Sequence, residues 1–540
     1  MAESAPGTPP APAWGRDVES SVVNGHPVLV YARRPRAVAD FLLSARRWRG
    51  REVLVQGQRR ITVEQHEAAV ARVAARLAGR GIAAGSRVVL LGFNSIEWVV
   101  AFWAVQAIGA VAVLGNAWWT DEEAAAALRQ AEPDLVLADR PLPWPRIPFA
   151  EIRDCVDDIG RSAALLAWPA WTAWPADEDA LAVIMFSSGT TGAPKGVLMS
   201  QRSVVGNIHN LLVLTGRLPS ELPQEHPGTV SLLSVPLFHL AGIQVCCTTL
   251  LSGGRLVFLE GRFDPVQVLR LIETERVRSW GSIPTMVSRV LEHPDFARTD
   301  TSSVASIPMG GAAVSAELRE RVAAAFTGVK SRVSSLYGLT EAGGVLAAGS
   351  GTDISSRPGC VGRALPVVEL RIHQPDSDGV GEIRARTPTA TGGYLGEDGG
   401  VTDTDGWVVT GDLGRIDDDG WLYLTGRLKD VIIRGGENVT SVHVEQAVLT
   451  HPDVLEAAVV ALPHPDLGEE VAAAVVLTAG STVTAQELLA HVSGRLAAFE
   501  RPSKWWRRPS ALPVNASGKV VRREVRDQWL ALGGTDHWDS

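Results

Sequence analysis

Cysteine is scarce: four in 540 residues, Cys155, Cys246, Cys247 and Cys360. None stands at metal-ligand spacing. So few in so long a chain point to a reducing compartment, not a disulfide scaffold. Positive charge is also in deficit. A net charge of −9 excludes the basic footprint of a nucleic-acid-binding chain. Long apolar runs are missing as well. The longest apolar region, Trp98 to Leu114, contains Gln106 and Gly109, and Asn94-Ser95-Ile96-Glu97 ahead of it reads as a helix start. A buried helix running into a strand accounts for it better than a membrane span. There is no charged segment followed by an apolar core near residue 1 and no peroxisomal address at the end, so a cytoplasmic location is expected. No internal repeat is evident.

What is present is the composition of an ordinary globular protein, 46% hydrophobic, in a chain too long for one core. Residues 1–15 are rich in Ala and Pro and read as a disordered tail. From 59 to 81 the spacing of Val63, Val70, Val73 and Leu77 predicts a helix. Val88–Leu91, Ala110–Leu114 and Leu135–Ala138 read as strands, with helices opened by Asn94-Ser95 and by the capping sequence Thr120-Asp121-Glu122-Glu123 between them. Strand and helix alternate, which predicts an open α/β layer. Residues 140–178 read as a surface connection, and Ser203–Leu214 as a helix. From Gly359 to Gly426 short strands alternate with Asp378-Gly379, Asp405-Gly406 and Asp419-Gly420 turns, the texture of a small β-subdomain. Beyond it, helical and strand patterns from Val444 to Ala498 predict a compact α+β second domain.

One stretch carries the chemistry: Phe186-Ser187-Ser188-Gly189-Thr190-Thr191-Gly192-Ala193-Pro194-Lys195-Gly196. It lies between the apolar runs 181–185 and 197–199. Its glycines let backbone approach an anion, while Ser187, Ser188, Thr190 and Thr191 add hydroxyls and Lys195 a positive charge. That suits a polyphosphate. It is not a Walker-A loop, because Lys195 follows Pro194 and no Ser or Thr comes after it. Further along, Pro236-Leu237-Phe238-His239-Leu240-Ala241-Gly242 sets a histidine at the end of a strand. Gly310-Gly311-Ala312 offers close backbone approach. Tyr337-Gly338-Leu339-Thr340-Glu341 offers a flat face, a hydroxyl and a hard oxygen ligand. Thr410-Gly411-Asp412 supplies a carboxylate of the kind that accepts ribose hydroxyls.

Taken together and in this order, these motifs resemble those of the AMP-forming adenylating enzymes: acyl-CoA synthetases, peptide-synthetase adenylation domains and luciferases. The resemblance runs from about residue 35 to 530. It implies a large N-terminal domain of two α/β subdomains and a β-subdomain over 16–428, and a smaller mobile C-terminal domain over 429–540 that turns about Lys429. It implies ATP, Mg²⁺ and coenzyme A as ligands. Thr190, Thr191, Gly192 and Lys195 would hold the β- and γ-phosphates and Glu341 the metal. Tyr337, Asp412 and Arg427 would hold the nucleoside, with Gly310, Gly311 and Ala312 beneath it. His239 would border the acyl pocket, Gly435 and Gly436 would enter the thiol tunnel, and Lys519 would bridge carboxylate and α-phosphate. The acceptor stays open between coenzyme A, a carrier-protein thiol and an amine, and so does the oligomeric state. Phe238 to Gly242 holds no acid to pair with an α-ammonium. A fatty acid is therefore the first expectation and an aryl or aryl-acrylic acid the second.

Overall fold

The computed structural model describes residues 13–157, 177–187, 195–309, 316–329, 334–350, 352–357, 359–397, 399–514 and 520–538. After an antiparallel hairpin of Val18–Val23 and His26–Tyr31 come two parallel-cored sheets. In the first, the strands run Lys195–Ser200, Leu181–Ser187, Val111–Gly115, Arg87–Leu91, Leu135–Ala138 and Arg146–Ile147 from edge to edge. Alternate residues feed opposite cores: Val88 and Leu90 pack on one face, Val89 and Leu91 on the other. A sheet buried on both faces needs near-continuous apolar strands, which these are. In the second sheet Ser279–Gly281, Val230–Leu233, Arg255–Phe258 and Glu52–Gln56 are parallel, and Arg59–Thr62 returns antiparallel.

The apolar Ile96–Ala107 helix is buried from Ile96 to Gln106, and Gln106 donates to the Ala182 carbonyl at 3.0 Å. Among the described residues, no helix is long and apolar enough to cross a membrane. Three readings shift. The helix expected from residue 59 begins at Val63, because Thr62 caps it with Gln65 and Arg59–Thr62 pairs as a strand. The stretch 140–157 contains a helix, Phe149–Asp157, that buries Phe149, Ile152 and Val156; residues 158–176 of the expected surface connection lie outside the described residues. Trp14, assigned by composition to the tail, is buried, and its indole donates to Ser44.

A seven-stranded antiparallel sheet follows, in the order Ser334–Leu339, Gly344–Ser350, Cys360–Ala364, Leu422–Arg427, Val408–Ile416, Gly381–Arg386 and Glu369–His373. Its three Asp-Gly turns share one design. Asp376, Asp403 and Asp417 each accept backbone N–H groups two and four residues ahead, at 2.8–3.1 Å. Gly379, Gly406 and Gly420 then take φ near +80° (76°, 81° and 81°). These carboxylates are committed to the turns.

The C-terminal body is a mixed sheet of Glu437–Thr440, Val431–Arg434, Gly468–Leu477, Val454–His464 and Lys504–Arg507, covered by the helices Ser441–Leu449, Ala485–Ser493 and Arg522–Ala531. Arg522 forks onto Glu445 at 2.6 and 2.8 Å and reaches Asp430 at 2.9 Å. Burial is the largest single effect on its guanidinium and lowers its pKa, but Glu445 and Asp430 together outweigh it and raise the pKa above the usual arginine range. The whole is a mixed α/β chain with a large N-terminal part and a smaller C-terminal one.

Candidate active site

One cleft of about 1500 Å³ gathers many of the described motif residues; Tyr337 and Asp412 are not among its lining side chains and connect to it through Arg427. Lys195, His239, Gly338, Thr340, Glu341, Gly411, Arg427 and Lys429 all line it. Three corners build it.

The nucleoside corner sits on the antiparallel sheet. Asp412 is the register partner of Arg427 on the adjoining strand. The residue is 6% exposed, and its carboxylate accepts the Tyr337 hydroxyl at 3.0 Å and lies 3.0 Å from the Arg427 Nε. Burial, reinforced by the Asp412 charge, pushes the Tyr337 phenol well above its usual range, so it stays a donor. Gly338 follows because a Cβ there would stand 2.1 Å from the Gly344 carbonyl oxygen. That close approach folds the Thr340-Glu341 segment back into the cleft.

The phosphate corner lies across from it. Ser187 and Lys195, at the two ends of the motif, are register partners in an antiparallel pair. Ser188, Gly189, Thr190, Thr191 and Gly192 lie outside the described residues, as do Gly310, Gly311, Ala312 and Lys519. The Lys195 ammonium is 2.7 Å from Glu397 and 5.0 Å from the Tyr394 ring centroid. Tyr394 donates to Glu341 at 3.1 Å. Burial, then the Glu341 charge, raises the Tyr394 phenol. Tyr394 and Glu397 escape the motif reading. Their signal is Gly392-Gly393-Tyr394: backbone bonds from Gly392 and Leu395 to the Leu198 and Gly196 carbonyls at 2.9 and 2.7 Å lay this segment along the Lys195–Ser200 strand.

The third corner is the acyl arm. His239 occupies the N-cap of the Leu240–Leu251 helix. Gly242 permits that entry, since a Cβ would stand 2.2 Å from the Pro236 carbonyl oxygen. Trp118 and Trp119, for which the sequence suggests nothing beyond packing, brace two motifs. Trp118 packs edge-on to Phe238 at 5.2 Å and Trp119 to Phe186 at 5.1 Å. The segment 280–286, whose placement no sequence pattern gives, supplies Gly281, Ser282, Ile283 and Met286 to the arm.

Lys429 reaches the same cleft from a single 3₁₀ turn, Leu428–Asp430. Burial lowers its ammonium pKa, the nearby Arg427 lowers it further, and Asp430, Asp412 and Glu341 pull it back up. Gly435 and Gly436 stand apart from the cleft: with φ of 60° and 91° they turn the hairpin between Val431–Arg434 and Glu437–Thr440.

Among the described residues, no group of three His, Cys, Asp or Glu side chains is placed to hold a metal. Glu341, with the Thr340 hydroxyl beside it in sequence, is a donor set too small for a cage. It does suit Mg²⁺, which binds through one or two carboxylates plus substrate phosphates and keeps its waters.

Comparisons with known proteins follow the same outline. Residues 41–395 match the family described as AMP-binding enzyme, and 443–519 match the AMP-binding enzyme C-terminal domain. Over 478 residues the chain is 32% identical to a feruloyl-CoA synthase of an Amycolatopsis species, covering 85% of this chain and 91% of that protein. Its fold is similar to that of the o-succinylbenzoate CoA synthetase of Bacillus subtilis solved with its acyl-adenylate intermediate. There the TM-score is 0.76 and the identity 27%, over 90% of this chain and 98% of that one. It is also similar to the amide bond synthetase McbA of Marinactinospora thermotolerans, with a TM-score of 0.74 and 30% identity over 91% of this chain and 100% of that one.

Proposed function

The chain belongs to the AMP-binding enzyme family, and on that footing we propose that it activates a carboxylic acid with ATP and passes the acyl group to the thiol of coenzyme A. One observation carries the reading. The lining of one cleft brings together the Lys195 ammonium, the His239 arm, Glu341 and Arg427, whose guanidinium pairs with the buried Asp412 that accepts the Tyr337 hydroxyl.

A carboxylate is a poor electrophile because its leaving group is oxide. Attack of a carboxylate oxygen on the α-phosphorus of ATP forms a P–O bond and expels pyrophosphate, leaving a mixed anhydride whose leaving group is AMP. A thiolate sulfur then attacks the acyl carbon, and the C–O bond to AMP breaks. Positioning and charge stabilisation supply most of the catalysis in such transfers.

Asp412 accepts the ribose hydroxyls and Tyr337 gives the purine a flat face. Arg427 moves from Asp412 toward nucleotide oxygens. Lys195, released from Glu397, meets the β- and γ-phosphates with Thr190, Thr191 and Gly192. Glu341 would hold Mg²⁺, which when bound would supply neutralising charge for the pyrophosphate. Lys519 lies between two anions that must approach, and must leave before a thiol enters. That calls for rotation of 429–540 against 16–428. The bonding supports a pivot at Leu428 and Lys429. Arg427 is tied to Asp412 in the large part, while Asp430 is tied to Ser441 and Arg522 in the small one.

The arm near His239 carries no carboxylate among its described lining residues, which supports an acid without an α-ammonium. The likeness to an amide bond synthetase supports one second reading, transfer to an amine. We place the enzyme in the cytoplasm, in line with its four unpaired cysteines. Pyrophosphate release across a panel of carboxylic acids, with and without coenzyme A, is the test. Acid-dependent release with thioester only when coenzyme A is present supports the proposal. Amide formation from an added amine in place of thioester moves it to the second reading, and no acid-dependent release refutes both.

A further inference from the structure

The far end of the acyl arm, which no sequence pattern places, carries a set of polar side chains. Ser231 on the Val230–Leu233 strand is the register partner of Ser279, and Ser279 bridges Ser306 on the next segment. The three serines stand side by side across the sheet, and all three line the cleft. Ser282 lines it too; the residue is 5% exposed, and its hydroxyl is buried with no hydrogen-bond partner among the described residues. An orphaned buried hydroxyl is destabilising until a partner arrives.

The Leu240–Leu251 helix forms the wall, and Gln244 and Thr248, one turn apart, both line the cleft. Gln244 donates to the Asn207 amide oxygen at 3.1 Å, which leaves its own amide oxygen and second N–H. Thr248 donates to the Gln244 carbonyl at 2.7 Å, so its hydroxyl oxygen is free to accept only. Thr248 stands nine residues along from His239, about 13 Å of helix rise. A ligand with its carboxylate near His239 therefore meets hydrogen-bonding groups at its opposite end. A plain alkyl terminus leaves them all unmatched.

We infer that the acid carries a hydrogen-bonding oxygen at the end remote from its carboxylate, and belongs to the ring-hydroxylated aryl or aryl-acrylic acids, not the plain alkyl acids. This rests on the adenylation reading above. A site that hydrogen-bonds a substrate hydroxyl discriminates sharply against the analogue lacking it.

The test compares 4-hydroxycinnamic, cinnamic and decanoic acids on the unaltered protein, both as specificity constants for pyrophosphate release and as affinities by calorimetry. The expected result is a preference for 4-hydroxycinnamic acid of at least about tenfold over each of the others. Thr248→Val keeps the side chain's shape and removes the accepting oxygen, and its ratio of 4-hydroxycinnamic to cinnamic acid falls toward one. A melting curve checks that the variant folds. Cinnamic or decanoic acid equal to or better than the hydroxylated acid overturns the inference while leaving adenylation intact. The affinity preference without pyrophosphate release does the reverse. Binding of none of the three overturns the arm's assignment along with it.

Discussion

Replacing Asp412 by Asn separates nucleoside recognition from everything else in the cleft. The shape is kept, the Tyr337 hydroxyl still finds an amide oxygen, and one negative charge and one acceptor oxygen are lost. A hydrogen bond to a charged group contributes about 1.5–3 kcal/mol and a neutral one about 0.5–1.5. If the carboxylate takes both ribose hydroxyls, the variant loses about 2–3 kcal/mol of ATP binding, a factor of roughly 30 to 150 in Kd. The folded state loses less. The broken partner, Arg427, has a side chain 45% exposed, so solvent screens the Asp412–Arg427 pair and its contribution stays under about 1 kcal/mol. Calorimetric titration with ATP and, separately, with inorganic tripolyphosphate reads the difference. ATP affinity falls by the stated factor while tripolyphosphate, which has no ribose, is unaffected. ATP affinity within about twofold of the parent, or an equal loss for both ligands, refutes the ribose role.

Lys519→Ala lowers adenylate formation from acid and ATP by about 10²–10³-fold, the usual cost of removing one preorganised charge-stabilising group. Thioester formation from supplied acyl-adenylate persists; equal loss of both half-reactions would contradict the role. Lys429→Pro fixes φ and removes an N–H at the pivot, so adenylation survives and thioester formation falls steeply. A parallel decline of the two would make Lys429 merely structural. Stability should also fall with acid. Burial lowers His66 and His209 to about 4, so between pH 4 and 6.5 the unfolded chain binds protons that the folded chain refuses. Their contribution is complete above pH 6.5 and is lost as pH drops toward 4, at up to about 2.7 kcal/mol per pH unit with both acting. Urea melts at pH 5 and pH 7 measure it, and equal midpoints would mean these imidazoles are not held neutral.

Much of this was legible in the sequence because local chemistry decided it. Ser95 and Thr120 cap their helices through their own side chains, and near-continuous apolar runs mark the strands of the first sheet that are buried on both faces. The Asp-Gly turns announce the β-subdomain, and Asp412 and Arg427 meet because one antiparallel register joins their strands, while Tyr337 reaches Asp412 from the edge strand through its hydroxyl. Contacts made at long range were not legible. Glu397 reaches Lys195 across 202 residues of chain, and Tyr394 reaches Glu341 across 53. The serine row depends on the register of two strands and a bridge to a third segment, none of which shows in any one segment. Trp14 looked like part of a Pro-rich tail because local composition says nothing about the pocket formed by Ser44 and Phe41, far along the chain.

The central claim is attack of a carboxylate oxygen on the α-phosphorus of ATP. Supplying 4-hydroxycinnamic acid, or whichever acid the panel favours, with both carboxylate oxygens as ¹⁸O, plus ATP and coenzyme A, follows that oxygen directly. Mass spectrometry of the products should find one ¹⁸O in AMP and none in pyrophosphate. AMP without label, or ADP with the label in orthophosphate, would contradict the account.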